Sequence, residues 1–294
     1  MNYQVETTSI CSLTCGYCPN KDLQRKREFM SPEVWQTILH RYIVPYRHRN
    51  VFCPPTFIGH KDGEPLLDKN ILHRLRDISH FAPDMKIDMY SHGLMLPKWQ
   101  ERGQDVFEFF ASLPNRVRYL MSYHPHNHDG SVNDYTATER YMRDMMTHRK
   151  PANVELIMVA HVSTHNNAER LAEWKRSWDG FPVTVHANAS LNPWTGRIEE
   201  PGTVEFHGCP YGDFGHWFFG VTGNIIACCM DLEEEIVIGN VMKDEPDAMF
   251  AACDAFYAEQ RRIAAERTGL KYQVCSNCMG MGKRTDLVQI GAMA

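Results

Sequence analysis

No stretch of this sequence approaches roughly 18 uninterrupted apolar residues, which excludes a helix built to cross a bilayer. The opening Met1-Asn2-Tyr3-Gln4-Val5-Glu6 has neither a basic leader nor an apolar core, so no export signal is read there and a cytoplasmic protein is expected. Positive charge is not in excess: 31 lysines and arginines face 36 acids, and a net charge of −5 argues against a general nucleic-acid coat. Internal repeats and low-complexity tracts are missing, and with them the compositional signs of a repeat array or a disordered chain. Histidine is absent before His40, which bears on the first group of cysteines.

What the chain does have is cysteine in groups. At 294 residues and 43% hydrophobic content it is long enough for one large domain and a small one. Ten cysteines would suggest disulfides in a short secreted protein, but clustered in a cytosolic chain they read as metal ligands. The first group is Cys11-Ser12-Leu13-Thr14-Cys15-Gly16-Tyr17-Cys18. Three thiolates this close can wrap one face of a [4Fe-4S] cube, which normally takes four. With no nearby histidine to supply the fourth, one iron would keep an open position for a substrate or cofactor. A structural zinc knuckle completed by a distant residue is the plainer alternative for the triplet taken alone.

The chain alternates strand and helix signals. Tyr3, Val5 and Thr7 alternate with Gln4, Glu6 and Thr8, as in a half-buried strand. Ser31-Pro32-Glu33 opens a helix whose apolar positions Val34, Trp35, Ile38, Leu39 and Tyr42 have helical spacing. Further strands are expected at 56–59, 86–91, 117–122, 154–160 and 183–187, and helices at 68–81, 98–112, 136–149 and 167–178. Six such units imply an α/β fold with a parallel sheet and right-handed crossovers. The unusual polar clusters each follow a strand: the cysteine loop, Gly63-Glu64-Pro65, Ser91-His92-Gly93, Ser122 with His124 to His128, His161 to Asn166, and Asn188 to Trp194. In a barrel-like arrangement they would converge on one mouth, at the carboxyl ends of the strands.

Cys-x-x-x-Cys-x-aromatic-Cys, with Tyr17 in the aromatic slot, resembles the signature of the radical S-adenosylmethionine (radical SAM) superfamily. The resemblance implies a partial (β/α)6 radical SAM barrel. It implies that Cys11, Cys15 and Cys18 hold a [4Fe-4S] cluster whose open iron chelates the amino and carboxylate groups of SAM's methionine. One electron, from a flavodoxin- or ferredoxin-type donor, would then cleave SAM to methionine and a 5′-deoxyadenosyl radical. Gly63-Glu64-Pro65 looks like the family's stretch after the second strand that hydrogen-bonds SAM's amino group; glycine permits close backbone approach and proline stiffens the turn. Tyr90-Ser91-His92-Gly93 stands where relatives often have Thr-Asn-Gly, a departure that leaves Ser91 as the candidate SAM contact. Ser122 resembles the polar residue that touches SAM's ribose or carboxylate, with a serine merely capping a turn as the alternative.

Several other patterns are read as structural. His124, His126 and His128 share a face only if the segment is extended. Pro125 and Asp129-Gly130 mark a loop, so substrate contact or solvent is expected there rather than a metal. The basic stretches 21–27 and 41–49 are read as solvated faces, with phosphate or nucleotide binding as the alternative. Met142, Met145 and Met146, at helical spacing, belong to the core.

Past residue 195 the remaining cysteines gather. Cys209 is followed by Gly223-Asn224-Ile225-Ile226-Ala227-Cys228, Ile238-Gly239-Asn240-Val241, a helix near 246–267, and Cys275-Ser276-Asn277-Cys278. The Gly223 turn fits a hairpin of 217–221 with 224–228 that brings Cys209 and Cys228 together. A zinc ribbon is the alternative for this cysteine set. The pattern resembles the auxiliary-cluster domains of SPASM and twitch proteins, and without a full SPASM domain's further cysteines it matches the shorter twitch form. The resemblance implies a second [4Fe-4S] cluster on Cys209, Cys228, Cys275 and Cys278. The domains are then a radical SAM partial barrel at 1–198 and a small α+β twitch-like domain at 199–294. Cys53 and Cys253 are expected to be plain buried thiols, and Cys229 to point away from its neighbour on a strand.

The expected activity is hydrogen abstraction from an unactivated C–H of a compact substrate, because the first strand starts at residue 3 and little follows the last cysteine. Four thiolates on the second cluster leave no vacant iron, so electron transfer is its expected job and net two-electron oxidation the outcome. A redox-neutral isomerisation, for example of an amino-acid group on a modified nucleotide or DNA base, is the alternative, and a peptide-modifying maturase a further one. A zinc-stabilised binding module or a simple iron–sulfur carrier would need no SAM-binding barrel. No membrane contact is expected, and no residue is singled out for the chemical step itself.

Overall fold

The computed structural model describes residues 2–49, 54–162, 165, 167–187, 215–266 and 275. Among the described residues nine strands form one sheet: β1 Asn2–Val5, β2 Thr56–Ile58, β3 Lys86–Ser91, β4 Val117–Tyr123, β5 Val154–Ala160, β6 Thr184–His186, β7 His216–Phe219, β8 Asn224–Ile226 and β9 Val237–Asn240. Their order is β6-β5-β4-β3-β2-β1-β7-β8-β9. Every pairing from β6 through β1 to β7 is parallel, while β7–β8 and β8–β9 are antiparallel. Among the described residues the sheet does not close on itself, since β6 and β9 are its edges. This is the α/β arrangement expected for a partial barrel.

Strand alternation sets the two faces of the sheet. Tyr3, Val5, Phe57, Ile87, Met89, Tyr119, Met121, Leu156 and Met158 are buried against the helices. The intervening positions, such as Ile58, Asp88, Tyr90, Leu120, Ser122 and Val159, turn to the other face, on which the cavities open. Met142, Met145 and Met146 are in the main core, as their spacing suggests. So is Cys253, a buried thiol of the helix Pro246–Glu266; Cys53 lies outside the described residues.

Local chemistry sets the helix ends. Ser31 accepts a hydrogen bond from the Val34 amide and Pro32 occupies the first turn of Pro32–Thr37. That helix continues through a widened turn, Ile38–Ile43, into Val44–Tyr46, where Pro45 has no N–H to donate. The single helix expected at 98–112 is instead two, Leu96–Glu101 and Val106–Ala111. Gly103, at φ 77°, turns the chain between them, and the Asp105 carboxylate accepts from the Phe107 and Glu108 amides to cap the second.

The hairpin expected around Gly223 is present. Gly223 has φ 86°, and Phe218 and Phe219 pair with Ile226 and Ile225. Strand β7 adds in parallel to β1, so the hairpin extends the barrel's own sheet. No helix among the described residues is long and apolar enough to cross a membrane.

Candidate functional site

The loops at the carboxyl ends of the parallel strands enclose a cavity of about 420 Å³. Cys11, Cys15, Cys18 and Tyr17 line it from the loop after β1, and Gly63 and Glu64 from the loop after β2. Ser91, ending β3, and Ser122, on β4, complete the group singled out from sequence. Pro65 is buried just behind, opening the short turn Pro65–Leu67. A larger cavity of about 610 Å³ opens at the opposite strand ends among residues such as Lys86, Asp88, Arg118 and Asn153. It contains none of the cysteines, so the site is placed at the smaller one, where the chemistry-bearing groups converge.

The cysteine loop is held from two sides. The Thr14 amide donates to Asn127 Oδ1 at 3.0 Å and the His128 amide to the Thr14 carbonyl at 2.7 Å, which clamps the loop under the segment after β4. From the other side the Glu64 amide donates to the Ile10 carbonyl at 2.9 Å. A Cβ on Gly63 would lie 2.2 Å from the Thr8 carbonyl oxygen, so only glycine lets these backbones meet. Burial raises the Cys11 thiol to about 12, aided by the Glu64 carboxylate, and Cys18 to about 11; burial also lifts Cys15 well above its ordinary value. As thiolates the three need nearby positive charge, which iron ions supply. Among the described residues no three cysteine, histidine or acid side chains converge on one point for a single metal ion. Three soft thiols on one wall of one cavity match three corners of a [4Fe-4S] cube, so the donor set fits such a cluster.

Glu64 organises the neighbouring loops. Its Oε1 accepts from Ser91 Oγ at 2.8 Å and from the Leu66 amide at 3.0 Å, and its Oε2 from the His92 amide at 2.8 Å. His92 Nδ1 accepts from the Leu94 amide at 3.1 Å, which places the ring proton on Nε2. That Nε2–H lies 3.2 Å from Ser12 Oγ and 3.4 Å from Glu64 Oε2. Burial lowers the His92 pKa, so the ring is neutral. The sequence showed the departure at Tyr90-Ser91-His92-Gly93 but not that His92 ties the β3 loop to the cysteine loop. The only signal was a histidine directly after a strand end.

More neutral histidines line the cavity. Tyr17 hydrogen-bonds the His124 ring, and its own ring lies 5.1 Å from those of His124 and His161. Burial pushes His124 down to about 3. His60 stacks on Tyr90, with centroids 5.7 Å apart, and burial pushes it down to about 4. Of the alternating run, His124 therefore turns inward to Tyr17, while His128 contributes its backbone to the clamp.

Beneath the cavity lies a buried ionic group missed in the sequence, where 21–27 read as a solvated basic face. Arg25 Nη2 binds Glu6 Oε1 at 2.5 Å and Asp62 Oδ2 at 3.0 Å, and Nη1 lies 3.6 Å from Glu234 Oε1. Lys61 pairs with Asp62 Oδ2 and donates to the Asp231 carbonyl at 2.9 Å. Arg25 Nε donates to the Leu232 carbonyl at 2.7 Å. The segment after Cys18 is thus fastened to the segment after Cys228. Burial would raise the Glu6 carboxyl, but Lys61 and Arg25 outweigh it and hold it below its ordinary 4.5. Burial pushes Asp62 the other way, up to about 7, against the pull of Lys61.

Arg25→Met should cost about 3–5 kcal/mol at neutral pH, because it strands buried acids without their cation. A depressed carboxyl stabilises the fold above its unfolded pKa, and that contribution is lost as pH falls through the folded value. Urea unfolding should therefore show the gap between parent and variant widest at neutral pH and narrowing below 4.5, the ordinary value of Glu6. Curves that stay parallel across that range would contradict this role.

The second cysteine set is described in part. Cys228 lies in the turn after β8, where its Sγ accepts from the Met230 amide at 3.3 Å. The Tyr257 hydroxyl donates to the adjacent Ala227 carbonyl at 2.7 Å, and Cys275 packs on a small apolar cluster containing Ala227 and Ile236. Cys209 and Cys278 lie outside the described residues, as do Asn188 to Trp194. Strand β8 ends at Ile226, so the alternation that set Cys229 apart from Cys228 does not reach them.

No family model matches the chain. The chain is 21% identical to S-adenosyl-L-methionine-dependent 2-deoxy-scyllo-inosamine dehydrogenase of Niallia circulans over 285 residues, 96% of this chain and 94% of that protein. Among solved structures, BtrN in complex with AdoMet and 2-DOIA superposes with a TM-score of 0.64 at 16% identity, covering 99% of this chain and 95% of that one. Native anSMEcpe with bound AdoMet superposes with a TM-score of 0.62 at 13% identity, covering 97% and 92%. Both of those structures hold AdoMet. The fold is theirs, and the resemblance read from the cysteine loop is borne out.

Proposed function

We propose that this chain, with the fold of the radical SAM enzymes, is a SAM-dependent oxidoreductase that dehydrogenates an alcohol of a small polar molecule. The observation that carries the reading is one cavity collecting the Cys11, Cys15 and Cys18 thiols with Tyr17, Gly63, Glu64, Ser91 and Ser122. With a [4Fe-4S] cluster on the three thiols and SAM bound, the site supplies a 5′-deoxyadenosyl radical. Glu64 and its partners Ser91 and His92 fix the SAM side of the pocket. His60 and His124, neutral and half-buried in the cavity wall, offer hydrogen bonds to a hydroxylated substrate at no cost in buried charge. Leu13, Leu120 and Val159 exclude water from the reacting centre.

The second cluster of this reading sits on Cys209, Cys228, Cys275 and Cys278 in a twitch-like domain at 199–294, following the barrel domain at 1–198, and accepts the substrate's second electron. Support comes from the packing of Cys275 on the cluster beside Cys228 and from similarity to a dehydrogenase of an aminocyclitol. A flavodoxin- or ferredoxin-type donor in the cytoplasm supplies the first electron. Incubation with a substrate alcohol should yield 5′-deoxyadenosine and oxidised product in about equal amounts. Product of unchanged mass would replace this reading with an isomerase.

A further inference from the structure

The larger cavity, about 610 Å³ at the amino ends of the parallel strands, shares only Tyr90 with the SAM-side cavity among their described lining residues. Its wall carries four cations, Lys86, Arg116, Arg118 and Lys150, against two acids, Asp88 and Glu155. That is an excess of two positive charges in a chain whose net charge is −5. His216, also in the wall, adds none, because burial pushes it down to about 4. Strand register decides which charges are spent. Asp88 on β3 and Glu155 on β5 stand opposite Arg118 from either side, so both acids neighbour one arginine. Arg118 pairs with Asp88 and is further stabilised in its charged form by Glu155. Lys86, Arg116 and Lys150 form no ion pair among the described residues.

The neutral polar groups of the wall are engaged by the protein itself. Asn153 Nδ2 donates to the Phe110, Leu113 and Asn115 carbonyls, Thr56 Oγ1 to the Pro54 carbonyl, and Asn2 Nδ2 faces the His216 ring. What remains for a ligand is cationic N–H. Like charges gathered on one concave wall repel one another and focus a positive field, which an anion relieves. We propose that this cavity binds the phosphate of a small phosphate monoester, as a second ligand site behind the SAM cavity. A monoester carries about −1.5 to −2 charges at neutral pH, which matches the excess in the wall. Lysine ammonium groups and the planar arginine fork are the donors suited to phosphate oxygens. The volume falls within the roughly 300–1,000 Å³ that small-molecule sites occupy, so there is room for a carbon skeleton beside the phosphate. Tyr90, whose ring stacks on His60 of the SAM-side cavity, stands between the two, and a ligand here leaves SAM's place free. The site does not depend on the dehydrogenase reading.

The test is calorimetric titration of the anaerobic, cluster-loaded protein, with and without SAM, using glycerol 3-phosphate and glycerol at neutral pH and low salt. Glycerol 3-phosphate should bind about tenfold or more tighter than glycerol, with or without SAM, and lose affinity as ionic strength rises. Lys86→Gln and Arg116→Gln, both at exposed positions of this wall, should each weaken it about threefold to tenfold and leave SAM affinity unchanged. Lys26→Gln, which removes a cation 79% exposed elsewhere on the surface, should bind glycerol 3-phosphate as the parent does. Equal affinities for the two compounds, failure of both to bind, or a phosphate preference that survives in both wall variants would overturn the proposal. Equal weakening in all three variants would show a general surface effect, and competition with SAM would move the phosphate to the other cavity; each also overturns it. The comparison of the two compounds needs no variant, so a folding defect in Lys86→Gln or Arg116→Gln does not shield the proposal. Because phosphate binding is read without turnover, its loss and the absence of 5′-deoxyadenosine release are separate results.

Discussion

Cys15→Ala is expected to reduce 5′-deoxyadenosine release to background, while Cys228→Ala leaves appreciable release and abolishes oxidised product. The first effect follows from ligand count. Cys11, Cys15 and Cys18 share one buried cavity wall, and a cube that already lacks a fourth thiolate cannot lose another and keep its SAM-binding corner. The second follows from position. Cys228 lies beyond β8, in a turn fastened to Tyr257 and Met230, and it does not line the cavity that contains the first three thiols. Iron content should fall in both variants, and rapid-quench product analysis separates them. SAM cleavage at the parent rate in both variants would show that the cysteine assignments are wrong.

Gly63→Ala carries the other large effect. The added Cβ would lie 2.2 Å from the Thr8 carbonyl oxygen and 2.8 Å from that of Ile10, and neither backbone can swing aside as a side chain would. The β2 loop would have to lift from the base of the cysteine loop, breaking the Glu64 amide's bond to Ile10. A destabilisation of about 3 kcal/mol is expected from overpacking of this kind, together with loss of SAM binding. Gly220→Ala is a useful control. Its Cβ would meet the Glu234 carboxylate at 2.2 Å, and a side-chain end can move, so its cost should be smaller. Thermal unfolding and equilibrium dialysis with SAM measure the two effects. A Gly63→Ala protein as stable as Gly220→Ala would contradict the close backbone approach.

Much of the fold was legible because it is written locally. The alternation of Tyr3 and Val5, the Ser31-Pro32 start and the methionine spacing at 142–146 each state a period or a cap within a few residues, and each is present. The first three cysteines were legible for the same reason. The break at Gly103 and Asp105 was also written locally, but it lies inside a longer run of helical character, which a window reading joins across.

Long-range polar links left no such mark. Ser12 and His92 meet across 80 residues, and neither flanking sequence names the other. Arg25 illustrates the difficulty best: between Lys21 and Arg27 it reads as one more solvated cation, yet its side chain is 15% exposed while that of Lys26 beside it is 79% exposed. Which member of a basic run turns inward depends on where Glu6, Asp62 and Glu234 arrive from three other parts of the chain. Sequence periodicity in a loop cannot specify that.

The central claim is that the three-cysteine cavity cleaves SAM reductively. It is tested most directly by reconstituting the protein with iron and sulfide under anaerobic conditions, reducing it with dithionite, adding SAM, and quantifying 5′-deoxyadenosine and methionine by mass spectrometry. The account predicts a brown protein that releases both in equal amounts, with neither formed when Cys11, Cys15 and Cys18 are replaced. A colourless protein that binds stoichiometric zinc and returns SAM intact would contradict it.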